Sequence, residues 1–340
     1  MSKLNVLIAG ATGYIGIQLT KLLLNHSNIK IKYLCGNRSK GKSIKYFDKS
    51  INVKNLPKIT KFNYKNLKEV DVIFAALPNG EAQKISKKLL SHNIIIDLSA
   101  DFRLKSSIEY SKWYKIKHKS KENIKKSIYS IPELAKKNVK NYKIISCPGC
   151  YPTSILLPLT PLIKKKLIDS KNIIIDSKSG YSGAGRSVHK KNANNNLYES
   201  LSAYGVGFHR HNSEIQQELN LLSKKKIKFI FTPHLSPMFR GILSTIYVDL
   251  KSRSTVNKIY QELKKFYKRE HFINILPLNT LISTNDVINT NYCNISICKT
   301  KFNNKIIILS AIDNLIKGGA GQAIQNVNSY YNFNIKKGLI

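Results

Sequence analysis

Asn5-Val6-Leu7-Ile8-Ala9 is an unbroken apolar run of strand length. It leads directly into Gly10-Ala11-Thr12-Gly13-Tyr14-Ile15-Gly16 and then into apolar residues at helical spacing, Leu19, Leu22 and Leu23. An unbroken apolar run predicts a strand buried on both faces, which requires helices above and below the sheet. Residues without a Cβ let the backbone approach a bound pyrophosphate, and the helix that starts behind them supplies N–H donors and the positive end of its dipole. Strand, glycine turn and helix in this order predict the first unit of a dinucleotide-binding sheet. The spacing is G-x-x-G-x-x-G rather than the commoner G-x-G-x-x-G, so the setting carries more weight than the motif.

Further buried-strand signals follow at 30–34, 71–76, 94–97 and 144–146, separated by helical or loop-rich stretches. Such alternation predicts an α/β fold: a doubly wound parallel sheet of the Rossmann type, helices on both faces. Beyond residue 150 the strand signals (172–177, 227–231, 242–250, 294–298 and 305–311) are longer and several are adjacent, as in an α+β, mostly antiparallel domain with helices on one face. The segment 318–331 reads as a helix with Ala320, Ala323, Ile324 and Val327 on one side, packing back on the first domain. A chain of 340 residues suits two domains. The expected division is a nucleotide-binding domain over 1–148, completed by the C-terminal helix 315–340, and a catalytic domain over 149–314.

Lys and Arg total 57 against 19 Asp and Glu, a net charge of +38. The basic residues are scattered, and Lys, Ile and Asn are over-used together, a pattern of compositional drift. No zinc-finger spacing, ribonucleoprotein aromatic motif or basic arm with heptads accompanies them, so no specific nucleic-acid role is expected. A positive field does favour collecting anionic substrates. The longest apolar run, 155–163, is far short of the roughly 20 residues of a membrane span. Five cysteines, an odd number without a signal peptide, fit a reducing cytoplasm.

Chemistry is concentrated at Ile144-Ile145-Ser146-Cys147-Pro148-Gly149-Cys150-Tyr151-Pro152-Thr153, where a β-branched strand gives way to a proline-started helix. A thiol at a helix N-terminus faces unpaired N–H groups and a positive dipole, which favour the thiolate. Cys150 there is either a nucleophile or an inert buried cysteine of the turn; the turn alone does not decide. Cys147 completes a C-x-x-C pair, but no second pair follows and no thioredoxin-like order surrounds it, so Cys147 reads as a bystander and no metal is expected. After the second strand, Arg38 and Ser39 stand where an acidic residue would bind the ribose hydroxyls of NAD; a cation and a hydroxyl there suit the 2′-phosphate of NADP. The run 204–214 sets His209 and His211 around Arg210, and an imidazole near a thiol can take its proton and return it. The glycine-rich run 179–186 reads either as a phosphate cradle of backbone N–H groups or as an ordinary turn.

Seven segments in order resemble the N-acetyl-γ-glutamyl-phosphate reductases: Gly10–Gly16, Asp97–Leu104, Pro148–Thr153, Ser182–Arg186, His209–His211, His234–Leu243 and Asp313–Ala323. The resemblance runs nearly end to end. It implies NADPH-dependent reduction of N-acetyl-γ-glutamyl phosphate to N-acetylglutamate 5-semialdehyde and phosphate, a step of arginine biosynthesis, through a thioester on Cys150. His211, with His209 as substitute, would serve as acid and base. The cofactor would meet Gly10, Thr12, Gly13, Tyr14, Ile15, Gly16, Arg38, Ser39, Pro78, Ser182, Gly183, Asn314 and Lys317, with Asn314 and Lys317 near the nicotinamide. Arg103, Arg210 and Arg240 would grip phosphate or carboxylate. Homodimers or homotetramers are implied, with the second sheet a candidate surface. Asn79, Ser130, Tyr181 and Ser213 depart from the family's usual residues. Rival readings are aspartate-semialdehyde dehydrogenase, a reductase of carrier-protein-linked acyl phosphates in lysine or ornithine synthesis, and, at a distance, a nucleic-acid-binding protein.

Overall fold

The computed structural model describes residues 3–53, 55–135, 139–186, 199–223, 226–252 and 254–340. The chain divides into two compact units, residues 1–148 with 319–340, and residues 149–318. The return to the first unit therefore falls after Gly318, later than the expected 315. The Asp313 carboxylate accepts the N–H groups of Leu315 and Ile316 at 2.8 and 3.1 Å, and the Gly318 N–H donates to the Asp313 carbonyl at 2.9 Å. These bonds keep the turn with the strand before it.

The first unit holds six parallel strands, β1 (Leu4–Ala9), β2 (Ile29–Cys35), β3 (Val72–Ala75), β4 (Ile94–Asp97), β5 (Ser127–Tyr129) and β6 (Ile144–Ser146), in the order β2-β1-β3-β4-β6-β5. Alternate side chains build two cores. Val6, Ile8, Phe74 and Ile96 pack with Leu19 and Leu23 of the helix Tyr14–Leu24 and with Ala323, Ile324 and Val327 of the helix Gly321–Tyr331. Leu7, Ile73 and Ile95 pack on the other face with Ala82 and Ile85 of the helix Glu81–Ser86. The chain leaves β1 for β2 on one side and returns to β3 on the other, so the order reverses between β1 and β3, where open α/β sheets bind ligands at their carboxyl ends. The short edge strand β5 has no unbroken apolar run to announce it.

The second unit is a mixed sheet of β7 (Ile173–Gly180), β8 (Ser202–Ala203), β9 (Phe229–Ser236), β10 (Ile242–Asp249), β11 (Ile273–Ile275), β12 (Cys293–Lys299) and β13 (Lys305–Ile312), ordered β11-β12-β13-β10-β7-β9-β8. Two pairings, β7 with β9 and β11 with β12, are parallel; the others are antiparallel. The helix Cys150–Lys164 packs on β10 and β13, flanked by the helices His211–Ser223 and Val256–Tyr267. The opposite-pointing residues Ile230, Ile174, Tyr247 and Ile307 stand side by side in register across four strands. Ile230 is 62%, Ile174 47% and Tyr247 43% exposed, so this face of the sheet presents an apolar row to its surroundings.

Candidate active site

In the first unit the glycine turn closes over the carboxyl end of β1. Gly10 has φ +85°, and a Cβ there would lie 2.0 Å from the Ala76 carbonyl oxygen, so only glycine fits. A Cβ on Gly16 would meet the Gly10 carbonyl oxygen at 2.3 Å, which lets the helix start close against the turn. Gly13 is the N-cap of that helix, and Tyr14 and Ile15 form its first turn. Beside the turn lies a cleft of about 300 Å³, lined by Gly10, Thr12, Arg38, Ser39, Leu77 and Pro78 among others. Arg38 is exposed at its edge and Ser39 buried. Five of the residues expected to hold a cofactor, Gly10, Thr12, Arg38, Ser39 and Pro78, thus share one cleft, and the missing Cβ at Gly10 makes room for the Ala76 carbonyl beside the turn.

Upstream of the helix Cys150–Lys164, Asp97 at the end of β4 accepts bonds from Ser99 Oγ at 2.6 Å, the Phe102 N–H at 2.9 Å and Ser146 Oγ at 2.9 Å. Arg103 is only 8% exposed, and its Nε donates to the Cys147 carbonyl at 2.8 Å. Arg103 therefore braces the backbone just ahead of Cys150. Cys147 is fully buried; burial first, then the charge of Asp97, pushes its thiol up to about 12, so it stays protonated.

In the second unit, Cys150 is the first residue of its helix, behind the N-cap Gly149, and is half-buried. A Cβ on Gly318 would sit 2.6 Å from the Cys150 Cβ, so glycine at 318 makes room for Cys150. On the preceding residue, a Cβ at Gly149 would lie 2.2 Å from His211 Nε2: the imidazole rests directly against the backbone beside Cys150. Glu214, fully buried one helical turn beyond His211, joins the two. Its Oε2 accepts the Gly149 N–H at 2.9 Å, and its Oε1 stands 3.8 Å from His211 Nε2, an electrostatic distance.

His209 has a different setting. Its ring packs edge-on against Tyr151, Tyr204 and Phe231 at centroid separations of 5.6, 5.3 and 5.8 Å, and its Nδ1 accepts the His211 N–H at 3.2 Å. Burial, reinforced by the charge of Arg210, lowers its pKa to about 4, so His209 is neutral at physiological pH. His211, by contrast, keeps its Nε2 against Gly149 and toward the Glu214 carboxylate. Arg210 between them is exposed.

The remaining candidates of this unit gather around Asn314. Its amide nitrogen donates to Ser182 Oγ at 3.0 Å, its oxygen accepts the Gly241 N–H at 2.7 Å, and Gly183 leaves space beside it. Arg240 donates from Nη1 to Asn289 Oδ1 at 2.6 Å and to the buried Asp313 carboxylate at 3.2 Å, which fixes the guanidinium beside that turn. Lys317 is wholly buried with its ammonium 5.7 Å from the Phe272 ring centre, in the single wide π-helical turn Ile316–Ala320 that also carries Gly318. In the run 179–186 the amides of Gly180, Tyr181, Ser182 and Gly185 donate to the carbonyls of Gly241, Met238, Phe239 and Ser182. Part of the segment that follows, 187–198, lies outside the described residues.

Glu214 was legible only as the start of an amphipathic run, although an acid three residues after a histidine on one helix is a signal that they touch. Gly318 carried no such signal, because only the fold brings it to Cys150. Among the described residues no group of His, Cys, Asp and Glu could hold a metal ion, and no helix is long and apolar enough to cross a membrane.

Comparison with known proteins gives a consistent picture. Residues 5–142 match the family model described as semialdehyde dehydrogenase, NAD binding domain, and residues 150–314 the one described as semialdehyde dehydrogenase, dimerisation domain. The chain is 46% identical over 334 residues to the N-acetyl-gamma-glutamyl-phosphate reductase of Vesicomyosocius okutanii, covering 98% of this chain and 96% of that one. It is 39% identical to a probable chloroplastic N-acetyl-gamma-glutamyl-phosphate reductase of Arabidopsis thaliana, covering 98% of this chain and 83% of that one. Among solved structures, aspartate semialdehyde dehydrogenase II of Vibrio cholerae superposes with TM-score 0.71 at 15% identity, over 98% of this chain and 99% of that one. Aspartate semialdehyde dehydrogenase with NADP from Candida albicans gives 0.69 at 18%, over 98% and 100%. At these identities the solved structures speak for the fold.

Proposed function

Since the chain belongs to the N-acetyl-γ-glutamyl-phosphate reductase family of semialdehyde dehydrogenases, we propose that it converts N-acetyl-γ-glutamyl phosphate to N-acetylglutamate 5-semialdehyde and phosphate in arginine biosynthesis, through an acyl-enzyme on Cys150. The observation that carries the reading is the seat of Cys150: first residue of a helix, with the His211 imidazole against Gly149 and Gly318 making room for the thiol.

The helix N-terminus stabilises the thiolate of Cys150, and His211 takes the thiol proton. The sulfur attacks the acyl carbon, the C–S bond forms, and the C–O bond to phosphate breaks, leaving a thioester. NADPH, when bound, supplies the hydride that brings the acyl carbon to the aldehyde level. As the C–S bond then breaks, His211 returns the proton to sulfur. Glu214 holds this base in register with the nucleophile by bonding the Gly149 N–H and facing His211 Nε2. Gly10, Thr12, Gly13, Tyr14, Ile15, Gly16 and Pro78 would bind the dinucleotide, with Arg38 and Ser39 on its 2′-phosphate. Ser182, Gly183, Asn314 and Lys317 would shape the nicotinamide end. Arg103, Arg210 and Arg240 would grip substrate anions, the Arg103 Nε also bonding the Cys147 carbonyl. The apolar row on the open face of the second sheet supports pairing of two copies there, a homodimer or half of a homotetramer. Five free cysteines support a reducing compartment, the cytoplasm.

The test is the reverse reaction with N-acetylglutamate 5-semialdehyde, inorganic phosphate and NADP, followed by nicotinamide absorbance. Phosphate-dependent reduction of NADP is expected. Equal rates with aspartate semialdehyde would overturn the substrate assignment.

A further inference from the structure

The helix Glu81–Ser86 forms part of the wall of the nucleotide cleft, to which Leu77, Pro78, Glu81, Lys84 and Ile85 contribute. It begins with an anomaly. Its N-cap is Gly80, at φ +92°, which has no side chain to satisfy the first N–H groups of the helix. The missing cap comes from 21 residues downstream. Asp101, fully buried in the segment after β4, accepts the Gly80 N–H at 2.6 Å through Oδ1 and the Gln83 N–H at 3.2 Å through Oδ2: the second is the contact an N-cap side chain makes, the first the N-cap N–H that a capping box satisfies from the third helical residue.

The same carboxylate is anchored from outside the helix. Tyr110 donates its hydroxyl to Oδ1 at 2.6 Å, and the Gln83 side-chain amide donates at 3.2 Å while its oxygen accepts the Lys119 N–H at 2.6 Å. His118 bonds the Asp101 carbonyl at 2.9 Å. A carboxylate accepting four donors in a closed pocket has one geometry available to it. The Gly80 end of the loop Leu77–Gly80 is therefore tied to a rigid neighbour.

We propose that Asp101 is a positioning residue for the cofactor: by capping the helix Glu81–Ser86 it fixes the loop Leu77–Gly80 in the conformation that receives the dinucleotide. The inference rests on the assignment of this cleft to NADP. Asp101→Asn turns one acceptor into a donor facing N–H groups. KM for NADP should rise about fivefold, the size of a lost helix cap, with kcat at saturating NADP within about twofold of wild type. Tyr110→Phe removes an equally short bond to the same oxygen but none to the loop. It should lower Tm to a similar extent and leave KM for NADP in place. A purely structural role for Asp101 predicts instead that both variants lose stability and neither shifts KM selectively, and either an unchanged KM in Asp101→Asn or equal KM shifts in the two variants overturns the proposal. In the wild-type protein, where folding is not in question, NADP should slow hydrogen exchange at the Gly80 and Gln83 amides; no change there overturns it independently. Fluorescence titration of wild type with NADPH separates the two levels. Absence of binding would sink the cofactor assignment itself, whereas binding with unmoved Gly80 and Gln83 amides sinks only the role of Asp101.

Discussion

Cys147 and Cys150 are three residues apart and chemically identical, as are His209 and His211 at a spacing of two, yet the two members of each pair have different surroundings. Cys147 ends a parallel strand, buried on both faces with its thiol raised to about 12. Cys150 begins a helix, half-buried against the bare Cα of Gly318. His209 is enclosed by three aromatic rings and lowered to about 4, whereas His211 faces Gly149 and the carboxylate of Glu214. Residue type sets what chemistry is available. Burial and the backbone element beneath it decide which copy can perform it.

The sharpest way to break this contrast is to exchange the sulfurs. Cys150→Ser should abolish reduction by several orders of magnitude, since a nucleophile acts as one unit with its base. Cys147→Ser should keep most of its turnover and show its cost as a lower Tm. Alkylation by iodoacetamide at neutral pH should modify Cys150 first, read by peptide mass. Loss of turnover in Cys147→Ser without loss of stability would remove the distinction.

The histidines give the next largest effect. His211→Asn should lower kcat by about 10²–10⁴-fold, the usual worth of a positioned acid and base. His209→Gln should act more weakly, by loosening the His211 backbone that its Nδ1 accepts. Stability adds a second readout. The native His209 binds its proton only near pH 4, whereas the unfolded chain binds it near 6.5, so native stability is full above the unfolded value and falls as pH drops from about 6.5 toward 4. His26 and His118, also lowered by burial, add to the same acid loss. Denaturant melts at pH 7 and 5 should show a smaller pH penalty in His209→Gln than in wild type; an equal penalty would mean that His209 does not carry it.

How much of this was written in the sequence follows from the range of the interactions. Unbroken apolar runs specified β1, β3, β4 and β6 nearly to their ends, because a strand buried on both faces is its own signal. Cys150 was visible because a strand end and a helix start are local features. The different surroundings of His209 and His211 were not, since the aromatic shell of His209 is assembled from Tyr151, Tyr204 and Phe231, far apart in the chain. Gly318 beside Cys150, and Asp101 capping a helix 21 residues upstream, were closed to sequence reading for the same reason. The short strands β5, β8 and β11 escaped because Ser127-Ile128-Tyr129, Ser202-Ala203 and Ile273-Asn274-Ile275 interleave polar and apolar residues without an apolar run.

A third pair extends the contrast to the cofactor and carries the smallest expected effect. Arg103 is buried with its Nε on the Cys147 carbonyl, while Arg38 is exposed at the edge of the nucleotide cleft beside the buried Ser39. A guanidinium committed to a backbone carbonyl braces the fold; one at the rim of a cleft can meet an incoming phosphate bidentately. Arg38→Ala should raise KM for NADP about tenfold, the order of one charge-assisted hydrogen bond moderated by solvent, and leave KM for NAD nearly unchanged. Salt should raise KM for NADP more than KM for NAD, because added ions shorten the Debye length from about 8 Å at physiological ionic strength and weaken an exposed charge pair. Should Arg38→Ala weaken both nucleotides alike, the arginine would be contributing general positive field rather than reading the 2′-phosphate, and the preference would have to arise from Ser39 or the backbone around it.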